Sequence, residues 1–390
     1  MKGRTLAYTI GIVTLCATAS ATKMCAQQSE HNRIITFDAP GSGTNPGTLN
    51  CFGSCPGTVA ENANREGAVT GYFVDANNIY HGFVRDAWGK ITVLDAPHAG
   101  TASGQGTVAY SINSEGAIAG QYENSNNVYY GFLRSPHGEY TEFQIPGLDA
   151  GANQGAAGAA NINDAGEIAG YFVDENNVYH GFVRYADGRI ETFDAPHASK
   201  EANSPPQGTV VALESGLNNE GAVTGWYFDS NLAVHGYVRW PDGHFTEFDN
   251  SLGGSAAYQG TYPGSINSEG AVTGGAMDAN YVVHGFVRDR DGDMITFEAP
   301  GSGDTAGTEQ GTFGVGINDA GEVTAYYTDA NNLTHGSLRY GDGRIETFNV
   351  LQAGTGAGQG TTPQGINAAG VVPGYYTDSN NVNHGFLRLP

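Results

Sequence analysis

Short runs of apolar and β-branched residues, separated by turn residues, make up most of this chain. In the stretch 108–145, such runs at 108–113, 117–122, 128–134 and 140–145 alternate with turns rich in Gly, Asn and Ser. Runs of Val, Ile, Phe, Tyr and Thr are typical of strands, whereas Gly and Asn supply the positive φ that tight turns need. No stretch keeps the spacing of an amphipathic helix. The pattern therefore predicts an all-β chain of antiparallel strands.

This four-strand pattern recurs along the chain. Its clearest marker, which we call the anchor, is the run His-Gly-Phe-Val-Arg at residues 81–85, and variants of it follow at spacings of 49, 50, 55, 49, 51 and 49 residues. The copies begin at His81, Tyr130, His180, His235, His284, His335 and His384. Four strands in a repeat of roughly fifty residues are typical of a β-propeller blade. We therefore predict a seven-bladed β-propeller of four-stranded blades, in one domain that spans residues 27–390.

The two ends of the chain complement each other. The last repeat stops at Leu389-Pro390, directly after its third strand, while residues 34–40 match the fourth-strand motif seen at 295–300. We predict that the N-terminal strand pairs into the last blade and completes it. A ring closed in this way has no exposed sheet edge to protect.

Three segments of the repeat carry a recognisable family pattern. They are Ile162–Tyr171 (INDAGEIAGY), the anchor His180–Arg184 and Glu191–Pro196 (ETFDAP). With these segments, residues 33–390 resemble the bacterial extracellular HAF-repeat family, although Gly rather than Ala follows the anchor histidine in this chain. The resemblance implies an exported repeat protein and no particular activity.

The first residues have the pattern of a secretory signal peptide. Lys2 and Arg4 precede a mostly apolar or small stretch from 5 to 21, and small-x-small cleavage sites follow at 19–21 and 24–26. The stretch is too short and too rich in Thr and Ser for a good membrane-spanning helix. We predict that residues 1–26 are a signal peptide and that the protein is secreted or periplasmic, with no membrane span.

Composition and charge narrow the choice of partners. The chain has 390 residues, of which 59 are Gly, and its 40 acidic against 17 basic side chains give a net charge of −23. This charge excludes a nucleic-acid partner, because such binding needs basic patches, and it disfavours anionic membranes. Export to an oxidising compartment predicts a disulfide between Cys51 and Cys55.

Residues that recur from repeat to repeat are expected to serve the fold rather than a ligand. This applies to the anchor histidines, since Tyr130 replaces the seventh and imidazole chemistry is therefore dispensable there. It applies equally to the arginine that ends each anchor. These structural residues are His81, His180, His235, His284, His335, His384, Arg85, Arg134, Arg184, Arg239, Arg288, Arg339 and Arg388.

Acidic side chains suggest two candidate sites. The first consists of the turns between second and third strands, which begin with Asp75, Asp174, Asp329 and Asp378. These side chains are expected to cap their own turns, and Ca²⁺ binding is the alternative. The second is the pair Glu61 and Glu214 near the first strands of two repeats, which in a central channel could act as the acid and base of glycoside cleavage.

The connections between repeats differ most from one another and are expected on the same face as the Asp-Asn turns, a face rich in Asn, Asp, Gln and Tyr. The leading hypothesis is a non-catalytic, exported, monomeric protein without a cofactor that binds a glycan or protein partner there, carbohydrate or a cell-surface polymer being favoured. One alternative is a polysaccharide hydrolase or lyase that uses Glu61 and Glu214. Another is a calcium-stabilised structural or adhesion protein.

Overall fold

The computed structural model describes residues 33–46, 55–201, 207–213 and 215–390. In this part of the chain the secondary structure is all-β, with 28 strands in one hydrogen-bonded sheet and no helix. The predicted all-β class is confirmed.

The strands follow the repeats, which we call units one to seven in chain order. Unit one contains β2 (Gly57–Ala63), β3 (Val69–Val74), β4 (Tyr80–Arg85) and β5 (Ile91–Leu94). Unit two contains β6 (Gly106–Ile112), β7 (Ile118–Glu123), β8 (Tyr129–Arg134) and β9 (Tyr140–Phe143). Unit three contains β10 (Asn161–Ile162), β11 (Ile168–Val173), β12 (Val178–Arg184) and β13 (Ile190–Phe193). Unit four contains β14 (Gln207–Val211), β15 (Val223–Phe228), β16 (Val234–Arg239) and β17 (Phe245–Phe248).

Unit five contains β18 (Gly260–Ile266), β19 (Val272–Met277), β20 (Val283–Arg288) and β21 (Met294–Phe297). Unit six contains β22 (Gly311–Ile317), β23 (Val323–Thr328), β24 (Thr334–Arg339) and β25 (Ile345–Phe348). Unit seven contains β26 (Gly360–Pro363), β27 (Val372–Thr377) and β28 (Asn383–Arg388), and the remaining strand is β1 (Ile34–Phe37). Consecutive strands of a unit pair antiparallel, as in β2–β3, β3–β4 and β4–β5.

Strand β1 pairs with β28, as the complementary chain ends predict. The pairing is antiparallel and runs from Ile34 opposite Arg388 to Phe37 opposite Gly385. On its other side, β28 makes a short parallel contact with β2, in which Asn383 lies opposite Gly57. The C-terminal strand therefore contacts both the N-terminal strand and the first strand of unit one.

The same short parallel contact joins neighbouring units and explains the glycine that starts most first strands. Gly106 lies opposite Tyr80 with a φ of 128°, and a Cβ added there would lie 2.0 Å from the Tyr80 carbonyl oxygen. A side chain would be both strained and in collision at this position. The glycine lets the first strand of one unit approach the third strand of the unit before it.

An aromatic ring from the fourth strand packs between two units at every junction except that of units one and two, where Leu94 takes its place. In unit three, Phe193 covers the anchor glycine, where a Cβ on Gly181 would lie 2.2 Å from the ring. The edge of Phe193 meets Tyr237 of unit four, with ring centroids 6.3 Å apart, and the Arg239 guanidinium lies 5.0 Å from the Phe193 centroid. Burial of such rings supplies the hydrophobic contact that holds one unit to the next.

Buried asparagines at the ends of the first strands link all the units in sequence. Each Asn donates from Nδ2 to the backbone carbonyl of the next one, and Asn367 donates back to Asn64 at 2.8 Å. The series is Asn64, Asn113, Asn163, Asn218, Asn267, Asn318 and Asn367. The Oδ1 of each accepts the backbone N–H four residues later, as Asn267 does from Ala271 at 2.8 Å. We call these residues the asparagine circle.

Candidate functional site

Two sets of loops lie on one side of the sheet, which we call the loop face. They are the turns from second to third strands and the described parts of the connections from one unit to the next. The two sets contact each other, since the Gly104 N–H donates to the Asn78 carbonyl at 2.7 Å and the Gly358 N–H donates to the Asn332 carbonyl at 2.8 Å. The loop face therefore combines the most variable segments with the repeated turns, as the alternation of strands predicts.

The anchor histidines lie at the edge of the loop face, each between two acidic or amide side chains. His180 Nδ1 is 2.7 Å from Asp194 Oδ1, its Nε2 is 3.5 Å from Asp174 Oδ2, and its ring stacks on Phe172 with centroids 4.9 Å apart. The other five bond residues at the end of their fourth strands in the same way, His81 with Asp95, His235 with Asp249, His284 with Glu298, His335 with Asn349 and His384 with Asp38. Every one of these imidazoles is thus engaged within the protein.

The carboxylates raise the pKa of several anchor histidines. For His81 and His384 the main cause is the hydrogen bond to Asp95 or Asp38, which stabilises the imidazolium. At His180 partial burial lowers the pKa, but the hydrogen bond and charge of Asp194 outweigh it and the net shift is upward. His81, His180 and His384 therefore bind protons more readily than free imidazole would.

The four aspartates predicted to cap turns or hold Ca²⁺ all bond to their own turns. Asp174 Oδ1 accepts the N–H groups of Asn176 and Val178 at 2.9 and 2.7 Å, and its Oδ2 faces His180. Asp75, Asp329 and Asp378 make the equivalent bonds. In the described ranges, no group of three or more His, Cys, Asp or Glu side chains is arranged to hold a metal ion.

Six of the seven anchor arginines lie over the fourth-strand ring of the preceding unit. The guanidinium-to-centroid distances run from 4.8 Å for Arg288 over Phe248 to 5.7 Å for Arg339 over Phe297. The other four are Arg85 over Phe37, Arg184 over Phe143, Arg239 over Phe193 and Arg388 over Phe348. Arg134 is the exception, because Leu94 stands where the ring would be. These side chains connect units and lie away from the loop face.

Unit two differs from the other units at several of the repeated positions. Asn124 and Tyr130 stand where the other units carry Asp and His, and Gln144 stands where they carry a carboxylate or, in unit six, Asn349. Gln144 Oε1 accepts the N–H groups of Ile145 and Ala156 at 3.0 and 2.9 Å. In other units a threonine hydroxyl accepts the N–H that is equivalent to that of Ile145. Thr107 Oγ1, for example, accepts the Ala96 N–H at 2.9 Å. Gln144 thus replaces a missing threonine and restores a local hydrogen bond.

Glu61, one of the two proposed catalytic acids, occupies a bulge in β2. The ladder between β2 and β3 pairs Ala60 with Gly71 and Asn62 with Thr70, so that Glu61 lies at the register shift between them. Its charge contributes, after burial, to the raised pKa values of Tyr72 and Tyr375. Glu214 lies outside the described residues, so the predicted acid/base pair stays a prediction.

The predicted disulfide also extends beyond the described part of the chain. Cys55 is buried beside the start of β2, with 6% of its surface exposed. Cys51 lies outside the described residues, as do the predicted signal peptide and its cleavage sites.

A polar cavity of about 500 Å³ opens on the loop face where units six, seven and one adjoin. Its walls combine the rings of Tyr326 and Tyr375 with uncharged hydrogen-bonding groups, and Glu309 is the one charged side chain among the described residues that line it. The uncharged polar lining consists of Thr308, Thr328, Asn332, Thr334, Gln359, Thr362, Gln364, Thr377, Asn381 and Asn383. Pockets with aromatic walls and a few oriented polar groups are the usual form of small-molecule sites.

Asn383 is the most informative residue of this cavity. It is 1% exposed, its Oδ1 accepts the Thr377 hydroxyl at 2.9 Å, and its Nδ2 has no hydrogen-bond partner among the described residues. A buried amide donor left unpaired costs about 1–3 kcal/mol. A ligand oxygen that reached Nδ2 would remove this cost, so the cavity contains a donor that a ligand can satisfy.

Sequence reasoning missed Asn383, although the repeats held the signal. The equivalent position at the start of the third strand is Tyr80, Tyr129 and Tyr179 in units one to three, and Val234, Val283 and Thr334 in units four to six. An amide occurs there once. By the rule that repeated residues serve the fold, Asn383 should have been a candidate.

A second, smaller cavity lies on the loop face of units one and two. It measures about 270 Å³ and is lined by Tyr72, Tyr80, Tyr110 and Tyr129 together with Gln121, Glu123, Gly104, Gly106 and Val108. We call it the tyrosine cavity. Burial is the main cause of the raised pKa values of all four tyrosines, and the charge of Glu61 or Glu123 adds to it, so their hydroxyls remain neutral donors.

Comparison with known proteins yields structural likeness only. No family model matches the chain, and no curated protein matches it. The BP39L lectin from Burkholderia pseudomallei is 8% identical, with 82% of this chain and 91% of that chain covered and a TM-score of 0.48. The Aleuria aurantia lectin in complex with Fucα1-6GlcNAc is 10% identical, with 90% and 93% covered and a TM-score of 0.38.

A puromycin hydrolase in complex with PGG is 11% identical, with 87% of this chain covered and a TM-score of 0.49. The chain spans about half the length of that enzyme, 52% of it being covered. All three TM-scores are under 0.5, so these likenesses carry no argument about function. In the described ranges no helix is both long and apolar enough to cross a bilayer.

Proposed function

We propose that this protein is an exported, closed seven-bladed β-propeller that binds an uncharged carbohydrate in the polar cavity of its loop face. Two observations support the architecture, namely the antiparallel pairing of β1 with β28 and the return of the asparagine circle from Asn367 to Asn64. Membership of the HAF-repeat family and export rest on the repeat and leader sequences. The binding function rests on the chemistry of the cavity.

The unpaired Nδ2 of Asn383 is the observation that carries the binding function. Around it, threonine hydroxyls and amides can both donate and accept hydrogen bonds. Sugar hydroxyls need such partners, and the C–H faces of a sugar ring suit the faces of tyrosine rings. The volume of about 500 Å³ lies within the usual range for small-molecule pockets.

The charge of the cavity argues for an uncharged ligand. No Lys or Arg belongs to its described lining, and Glu309 would repel a carboxylate or sulfate. The net charge of −23 acts in the same direction. Neutral sugars are therefore the favoured class, rather than uronic acids or sulfated glycans.

A glycan array with the full chain and its Asn383→Val variant tests this function. Valine occupies the same position in units four and five, so the fold tolerates it there. We expect neutral glycans to bind the wild-type protein and to lose about tenfold in affinity or more with Asn383→Val. The matched control is Val283→Thr, the equivalent position in unit five, which should leave binding unchanged. A blank array, or equal binding by Asn383→Val, would contradict the proposal.

A further inference from the structure

The polar cavity and the tyrosine cavity adjoin each other. Tyr375, which lines the polar cavity, packs against a buried cluster that includes Val59 and Tyr72, and Tyr72 lines the tyrosine cavity. Tyr80 packs against the same cluster, with its ring centroid 5.7 Å from that of Tyr72. One layer of side chains therefore separates the two cavities.

The two cavities differ in chemistry in a way that the fold does not require. At the start of the third strands, units one to three carry tyrosine, whereas the later units carry Val, Val, Thr and Asn. All of these residues occupy the same backbone register, as the parallel contacts of Tyr80 and Asn383 with Gly106 and Gly57 show. The strand is therefore compatible with any of these side chains. Since the fold does not explain why tyrosines line one cavity and an amide the other, this difference points to a ligand.

The tyrosine cavity is suited to making broad contact with a ligand rather than to fixing the ligand's orientation. Tyrosine offers a large amphipathic surface and loses little conformational entropy on binding, because it has two side-chain torsions. Tyr80 and Tyr129 are each half-buried, so part of each ring remains accessible on the loop face. Asn383 in the neighbouring cavity supplies a buried donor against which a ligand can be oriented.

We infer that the ligand is an oligosaccharide that crosses this layer at the loop face, with one ring in the polar cavity and a later ring against Tyr80 and Tyr129 in the tyrosine cavity. This inference rests on the proposed function, since it assigns two subsites to the same ligand. The inference predicts that affinity depends on the number of sugar rings in the ligand. A single sugar fills one subsite, and a longer chain gains the second without a further loss of overall translational freedom.

Calorimetric titration with glucose and with its α-1,4-, β-1,4- and β-1,3-linked di- and tetrasaccharides tests the inference. At least one tetrasaccharide should bind the full chain about tenfold more tightly than glucose. Tyr80→Val should remove that advantage and leave the affinity for glucose unchanged. Tyr179→Val, the equivalent change in unit three outside both cavities, is the matched control and should have no effect.

The possible failures are distinguishable. Binding that is independent of chain length, or unaffected by Tyr80→Val, overturns the two-subsite inference and leaves the proposed function standing if Asn383→Val weakens every sugar. Absence of binding by the whole series overturns both. Circular dichroism of each variant checks that the sheet is intact, so that a loss of binding reports on the cavity.

Discussion

Replacing Asn367 by alanine should destabilise the protein as much as replacing Asn267, although Asn367 bonds across the two ends of the chain. Asn367 is 8% exposed, accepts the N–H groups of Ala369 and Val371 at 2.9 Å each, and donates to the Asn64 carbonyl at 2.8 Å. Asn267 is 5% exposed, accepts from Ala271 at 2.8 Å and donates to the Asn318 carbonyl at 3.1 Å. The two side chains therefore make equivalent hydrogen bonds, each at a different junction between units.

The magnitude follows from the groups that each substitution leaves without a partner. Alanine at either position leaves at least one N–H of its own turn without its partner. It also removes one of the two hydrogen bonds that a carbonyl of the next unit accepts, because the Asn64 carbonyl keeps its bond from the Gly67 N–H at 3.1 Å and the Asn318 carbonyl keeps its bond from the Gly321 N–H at 3.0 Å. The first loss costs about 1–3 kcal/mol and the second about 1 kcal/mol. We expect a loss of about 2–4 kcal/mol in the free energy of unfolding for either variant.

Urea unfolding followed by tyrosine and tryptophan fluorescence measures the loss, with midpoints compared at equal slope. Asn380→Ala is the control, because Asn380 is exposed and bonds only within its own turn to Asp378, so its loss should stay below about 0.5 kcal/mol. If Asn267→Ala is costly while Asn367→Ala resembles the control, units seven and one are not joined as the others are. That result would refute the closed ring.

Three further predictions follow from the contacts between units. Gly181→Ala should cost about 2 kcal/mol or more in urea unfolding, since the new Cβ would lie 2.2 Å from the Phe193 ring; an unchanged midpoint would show that the ring does not lie there. His180→Tyr, which copies the natural Tyr130 of unit two, should destabilise more at pH 5.5 than at pH 8.5. The raised pKa of His180 adds stability below the ordinary value of about 6.5, and this stability is lost as pH rises through the folded value; a pH-independent difference would contradict this. Deletion of residues 33–40 removes β1 and exposes the edge of β28, so it should lower the melting temperature and promote association in light scattering; a monomeric variant with wild-type melting would oppose it.

Local chemistry explains why the strands could be predicted so closely. In unit two, the strands predicted at 108–113, 117–122, 128–134 and 140–145 are observed as β6, β7, β8 and β9, with ends displaced by up to two residues. Alternating side chains and positive-φ turn residues act within a hairpin, so the sequence contains the information. The repeats added a comparison within the chain that separated common residues from unique ones.

The candidate site was harder to predict because its walls come from distant segments. Glu61 and the Asp-Asn turns stood out as acidic residues, but the turn carboxylates are occupied by their own backbone N–H groups. Asn383, with no charge and no motif, gave no chemical signal. It becomes a candidate only in the folded chain, where β28 approaches β2 and residues of units six and seven form the cavity walls around it.

The all-β class, the period of the repeat, the acidic charge and the complementary chain ends can be recognised in the sequence, because they depend on composition and on short-range patterns. The folded chain was needed to show that Asn64 and Asn367 meet, that Arg239 lies over Phe193, and that the Asn383 donor beside Tyr375 has no partner among the described residues. Those contacts join residues from different units. Whether a buried polar group finds a partner depends on every surface packed around it, and one strand's sequence cannot specify that.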